Sequence, residues 1–468
     1  MQIRFLWCLL AATSLAQAEP PPKCQRDCEP EPVLTAPTLA PAAMLSGPNY
    51  RVIPEVRVRG YMADFLVDTT FGPLRADSAE LLSVRVSEIP AMEALDRASR
   101  SEAFSHAIAE RGRKTGTAIL HVVEHPIDTI TGLPAGVGRY LSHEWKNIAD
   151  KAQALSDRST KEFENKGDAF RAPPGPMTAN RDEPPDQTNQ PDKRSRAWYA
   201  RAGNEAERET KRYLKYSNER RDMAKLLNVD PNSTNPILVD KLDELAWAAV
   251  WGNFSAGGAL GTITGGAADA ITWTGRLNQY VLEKTPEDLR EENRTRLVKF
   301  CSDDFAVRQF LRRGGFTDTL RTALAQTYEK LKPESGCNEL IELAATTRGE
   351  VEARYLTDAL KLIEKNAEPG KGKLLIIDDA PVWQADDGKL LLPLPVDYLT
   401  WSHDIGNLFD EPAFKVKGRT ALIGGDASPL AMRKLTERGW NIIVHAPFDG
   451  APTYAQMTDF NGGAAASF

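Results

Sequence analysis

Residues 245–273 read LAWAAVWGNFSAGGALGTITGGAADAITW, and the way this stretch folds decides the architecture around it. Its first 24 residues, Leu245 through Ala268, carry no ionisable side chain, in a chain that is 26% charged. Gly257, Gly261 and Gly265 recur at every fourth position, and Asp269 continues the series. On a helix each such step turns the face by only about 40°, so the three glycines form one bare packing groove that admits a neighbouring backbone.

Two readings of the stretch compete. As a membrane helix, Trp251 to Trp273 spans about 33 Å with a tryptophan at each boundary. Against that stand Asn253, Ser255, Thr262, Thr264, Asp269 and six glycines. An aspartate alone costs roughly 3 kcal/mol near a bilayer centre. In a soluble helix each glycine costs about 1 kcal/mol against alanine, so tertiary packing must hold the segment. The low apolar density favours a buried soluble hairpin, and membrane association is not favoured.

Working outward, the chain opens like a secretory signal. Arg4 precedes the apolar run FLWCLLAATSLA, and Ala16-Gln17-Ala18 is a small-x-small cleavage site. Residues 1–18 are therefore read as a signal peptide, and the protein as exported, periplasmic or secreted. Cleavage removes Cys8 and leaves Cys24, Cys28, Cys301 and Cys337, an even set suited to an oxidising compartment. The expected pairs are the local ones, Cys301 with Cys337 and Cys24 with Cys28. The net charge of −7, with both signs mixed throughout, argues against a nucleic-acid partner.

Composition divides what remains. Residues 19–48 hold eight prolines and are expected to be an extended tether. Residues 49–155 are read as an N-terminal β/helix module, with strands in RVIPEVRVRG, YMADFLVDTT and PLRAD. A helix capped by Asp77 or Ser78 follows, with a kink or break expected at Pro90. Six prolines between Arg171 and Arg196 mark 156–197 as a disordered linker. Residues 198–368 form a helical domain around the glycine groove; Asn235-Pro236 reads as N-cap and first-turn proline, with Leu238, Leu242, Leu245 and Ala249 facing inward. Residues 369–468 change to a small α/β module. There TALIGG, the helix SPLAMRKLTER and WNIIVHA form a βαβ unit capped by Ser428 and ended by Gly439. The fold class is α+β, helix-dominated.

The motifs that suggest chemistry weaken on inspection. His121, Glu124 and His125 match the H-x-x-E-H pattern of inverted zinc peptidases, the strongest catalytic candidates in the chain. Pro126 pushes His125 out of helical geometry, however, and no third ligand is near, so no metal and no cofactor is assigned. TGLPAGVGR, residues 131–139, is neither a Walker loop nor a dinucleotide fingerprint. Asp230, Asn232 and Thr234 begin like a calcium loop, but Asn235 stands where glycine is needed and Lys241 where glutamate is needed. Asn253-Phe254-Ser255-Ala256-Gly257 lacks the first glycine of a hydrolase elbow. Gly424-Gly425-Asp426 opens a helix, but the aspartate would repel a phosphate, so a structural turn is expected.

RRDMAKLLNVDPNSTNPILVDKLDELAWAA, with TGLPAGVGR upstream and ERGWNIIV downstream, resembles a family of exported bacterial proteins of unknown function. That resemblance implies a bacterial envelope setting and assigns no residue a role. The expected function is binding or structural work with an envelope protein partner. A hydrolytic enzyme with an unrecognised site, or a membrane-inserting protein acting through the glycine stretch, are the alternatives.

Overall fold

The computed structural model describes residues 28–102, 104–106, 136–141, 215–251, 280–312 and 315–455. Residues 1–18, expected to be a signal peptide, residues 156–197, expected to be a linker, and the glycines at 257, 261 and 265 lie outside them. The architecture is α+β and rich in helix.

The first sheet holds β1 (Val33–Thr35), β2 (Ser46–Gly47), β3 (Tyr50–Val52), β4 (Glu55–Arg59), β5 (Met62–Thr69) and β6 (Leu74–Ala76). Its order is β1-β4-β5-β3-β2, with β6 also on β5. Strand β5 alternates as a half-buried strand must, with Phe65 and Val67 inward and Leu66 and Asp68 outward. Val67 pairs with Val52 on one strand and Leu74 on another, which centres the sheet on β5.

Here the structure corrects the expectation of a tether over 19–48. Of that range, Val33–Thr35 pairs with β4 and short helices form at α1 (Ala36–Leu39) and α2 (Ala42–Leu45). Ala36, Leu39 and Ala40 are buried. The prolines do not prevent this, because Pro37 stands in the first turn of α1 and Pro41 caps α2, where a missing N–H costs nothing.

Helix α3 (Ala79–Ser99) is capped by Ser78, whose Oγ accepts the N–H of Leu81 at 3.0 Å. It continues through Pro90 rather than breaking there. Ile89, Ala91, Met92 and Leu95 are buried in a core shared with Leu238, Leu242 and Leu245, and that packing holds the turns on both sides of the proline. The latter leucines belong to α5 (Pro236–Trp251), which follows the helix α4 over 215–227. Asn235 caps α5, accepting the N–H groups of Ile237 and Leu238 through Oδ1.

The helical layer continues with α6 (Pro286–Leu297), α7 (Asp304–Phe310), α8 (Asp318–Leu331), α9 (Cys337–Ala345) and α10 (Glu350–Asn366). Cys301 and Cys337 are disulfide-bonded with Cα atoms 4.9 Å apart. The two cysteines are not both within helices. Cys301 lies past the end of α6 and Cys337 opens α9, so the bridge ties one helix's exit to another's start.

The second sheet comprises β7 (Gly372–Ile377), β8 (Ala380–Ala385), β9 (Leu390–Leu394), β11 (Arg419–Ile423) and β13 (Asn441–Ile443), in order β13-β11-β9-β8-β7. Asp378 and Asp379, at φ of 46° and 64°, make the two-residue hairpin between β7 and β8. Strands β9, β11 and β13 are parallel. Helix α11 (His403–Phe409) connects the first two and α12 (Pro429–Glu437) the last two. Ser428 caps α12 by accepting the N–H of Ala431, and Gly439 at φ +77° ends it, as the sequence predicts. A parallel pair, β10 (Tyr398–Leu399) and β12 (Asp426–Ala427), extends beyond β9 and β11. The first and last modules keep separate sheets, and one core runs from Tyr61 and Tyr140 through α10 to the second sheet.

Candidate functional site

Parallel strands in an α/β sheet present their carboxyl ends as the ordinary ligand position. In this chain that position faces the first module. Asp397 follows β9 and is only 2% exposed. Its Oδ2 accepts the backbone N–H groups of Ala63 on β5 at 2.9 Å and of Ala79 on α3 at 3.1 Å. Its Oδ1 accepts the hydroxyl proton of Tyr454 at 2.9 Å. Burial pushes the Asp397 carboxyl up to about 6 against the pull of these three donors.

Beside it stands a carboxyl pair. Glu80 projects from the first turn of α3 and Asp358 from the middle of α10, where Asp358 is buried. Burial and the neighbouring Glu80 drive Asp358 well above the usual carboxylate range. Burial opposes ionisation of Glu80 too, but Arg354 and Lys361 outweigh it and hold Glu80 below its ordinary value. The two carboxyls are coupled, and their shifts run in opposite directions, Asp358 up and Glu80 down. Arg354 donates to Glu80 at 2.5 Å and to Glu350 at 2.9 Å, while Lys361 donates to Asp358 at 2.7 Å.

The network continues away from the sheet. Arg85 donates to Glu88 and Glu350 at 3.3 Å each and to Thr234 at 2.6 Å. Burial works against the charge of Glu350, yet Arg354 and Arg85 bring it down to about 2. Asn235 Nδ2 donates to Glu88 at 2.9 Å, so the residue that caps α5 also ties it to α3. Asp230, pushed up to about 6 by burial, turns the preceding loop by accepting the N–H of Asn232. What resembled half a calcium loop is a turn that presents Ser233, Thr234 and Asn235 to buried charges.

A small cavity lies among Glu80, Arg354, Asp358, Asp397, Gly424 and Tyr454. Its space for water is about 10 Å³, at the lower limit for a single molecule. Next to Gly424, Gly425 packs against the Asp397 backbone: a Cβ there would lie 2.1 Å from the Asp397 carbonyl oxygen. On the outer edge His445 meets Asp426, Nε2 to Oδ1, at 2.9 Å, and its backbone is left-handed at φ 49°.

The residues singled out by sequence fall elsewhere. His121, Glu124 and His125 lie outside the described residues, as do Cys24 and the glycine groove. Among the described residues no group of three or more His, Cys, Asp or Glu is arranged to hold a metal ion. Of TGLPAGVGR, Gly136 sits at φ +61° against the turn between β4 and β5, where a Cβ would lie 2.3 Å from the Arg59 carbonyl. The close approach that glycine permits there is to backbone. Gly424 and Gly425 also make a structural turn, with Gly425 N–H donated to Val396 O at 2.8 Å.

Asp397, Glu80, Arg354, Asp358 and Tyr454 escaped sequence reading. One signal was present: Arg354, Asp358 and Lys361 fall at i, i+4 and i+7, one stripe of a helix whose other faces are apolar. Comparison with protein-family models, with curated proteins and with solved structures finds no match.

Proposed function

We propose that the protein is an exported bacterial envelope protein that acts by binding or interaction rather than by catalysis. The observation that carries this reading is the use made of its buried charges. Asp397, Glu80, Glu350 and Arg354 each link separate elements, and the space they surround takes about one water. A catalytic centre needs room for a reacting molecule beside its titratable groups. The envelope setting is supported by the signal pattern, the Cys301–Cys337 bridge and the resemblance to exported bacterial proteins. Among the described residues no helix is long and apolar enough to cross a membrane.

One observation favours a second reading, a hydrolytic enzyme. A coupled carboxyl pair whose two members shift in opposite directions, next to Asp397, is an acid–base arrangement. A single experiment separates the two. Full-length protein bearing its own leader is recovered from bacterial periplasm and assayed against esterase, phosphatase, glycosidase and peptidase substrates. Binding predicts no turnover. Turnover that disappears in Glu80→Gln while the thermal midpoint is retained would establish the enzyme instead.

A further inference from the structure

The chain beyond β13 turns back across the carboxyl ends of the parallel strands and is fastened there at three places. His445 bonds to Asp426, which opens β12 just beyond β11, at 2.9 Å. Phe448 packs with Ala446, Leu362 and Leu422, and its ring centroid lies 5.9 Å from Lys361 Nζ on α10. Tyr454 donates to Asp397, beyond β9, at 2.9 Å. The backbone is pinned by His445 N–H to Gly425 O at 3.1 Å, Ala446 N–H to Ile423 O at 2.9 Å and Ala455 N–H to Leu39 O at 3.3 Å. The imidazole of His445 and the ring of Tyr454 meet edge to face at 5.6 Å, so the two polar fastenings are in contact.

We propose that residues 444–455 are a strap over the carboxyl ends of β9 and β11, held shut in acid and loosening as pH rises to uncover the Glu80, Asp358 and Asp397 carboxyls. The Tyr454 hydroxyl favours the Asp397 carboxylate, but burial opposes ionisation more strongly. The buried carboxyl and the His445 bond therefore both make the closed strap costlier as pH rises. Asp397 faces Glu80 from α3, Tyr454 from the strap, and a cavity wall to which α10 contributes Arg354 and Asp358. In acid it carries its own proton and no bare charge is kept dry. Once ionised it is a charge in a cavity that admits about one water, and departure of the strap lets solvent reach it. His445 faces Asp426, which neighbours Tyr398, and the ring of Tyr454. The hydrogen bond to Asp426 raises the imidazole above its ordinary value. Its contribution is therefore complete in acid and is lost as pH climbs through that raised value. Lys361 donates to Asp358 and lies over the ring of Phe448, joining α10 to the strap. The apolar contact of Phe448 is the hinge about which the strap opens.

Amide hydrogen exchange on the full mature chain tests this, after correction for the intrinsic pH dependence of exchange. Protection of residues 446–455 should fall about tenfold or more between about pH 5 and pH 8, while amides of α10 hold theirs. His445→Asn keeps a residue that tolerates the left-handed backbone but removes the protonating ring. Tyr454→Phe removes one hydroxyl and leaves the packing. His445→Asn should shrink the pH response of the strap and leave α10 unaffected, whereas Tyr454→Phe removes a donor that favours the carboxylate and should keep or enlarge that response. Equal strap protection at both pH values, a fall shared with α10, or a full response retained in His445→Asn would overturn the proposal.

Discussion

Asp397 Oδ2 accepts the N–H of Ala79, the first residue of α3, at 3.1 Å. A helix leaves its first N–H groups without intrahelical partners, and a local cap satisfies only some of them. Ser78 takes the N–H of Leu81, and a carboxylate from the far module takes that of Ala79. Asp397→Ala would strand this donor, the Ala63 N–H and the Tyr454 hydroxyl together. At about 1–3 kcal/mol for each buried unpaired group, the variant should lose several kcal/mol in urea unfolding. Asp397→Asn, which keeps an acceptor oxygen, should lose less.

Stability should rise as pH falls from about 7.5 to about 5. Asp397 and Asp230 both have carboxyls raised to about 6 by burial, and burial raises Asp358 as well. A raised acid costs stability where it is ionised, and that cost disappears as pH falls through the folded value. The effect is bounded at about 3 kcal/mol for each of the first two groups. Glu350, lowered to about 2, acts in the opposite sense and only in the more acidic window below its unfolded value. Chemical denaturation across that range measures the slope, which Asp397→Asn should flatten. A slope of opposite sign would refute the assignment.

Arg354→Met tests the ion network. It removes the guanidinium shared by Glu80 and Glu350 and preserves most of the side-chain volume. Breaking a buried pair by deleting one partner costs about 3–5 kcal/mol, because the other charge is left dry. Combining it with Glu350→Gln should cost less than the sum of the two single changes, which a double-mutant cycle reads directly.

Two glycines separate sterics from helix propensity. A Cβ at Gly425 would meet Asp397 O at 2.1 Å, so Gly425→Ala must displace backbone at the site and should cost about 1–3 kcal/mol. A Cβ at Gly349 meets nothing within 4 Å, and Gly349→Ala should change the thermal midpoint little.

Protein recovered from its own compartment should begin at Glu19 and contain no free thiol at Cys301 or Cys337. Reduction should lower stability by about 4 kcal/mol on the loop-entropy estimate. Intact-mass analysis with thiol blocking reads both, and free thiols at the two positions would remove the staple.

Local signals in the sequence carried the elements, while the site escaped them. Ser428, Pro429 and Gly439 mark the ends of α12 because capping chemistry is written within a few residues. Asn235-Pro236 is equally legible, and so is the alternation in β5. Pro90 misled, since tertiary packing outweighs local propensity. The prolines of the supposed tether misled for a similar reason: Leu39 and Ala40 find a core that only the folded sheet supplies. Asp397, Glu80 and Arg354 look like ordinary surface charges, each set among residues typical of its element. Their meaning depends on a meeting that no spacing rule describes.

The partner of Glu29 has a consequence for the timing of folding. Its N–H and carboxylate engage Trp401, and Ser428 Oγ, 399 residues away, donates to the same carboxylate. Contacts of such sequence separation close late, because the intervening chain must first be ordered. During synthesis the first module therefore emerges long before Trp401 and Ser428, and this junction closes only after both have left the ribosome.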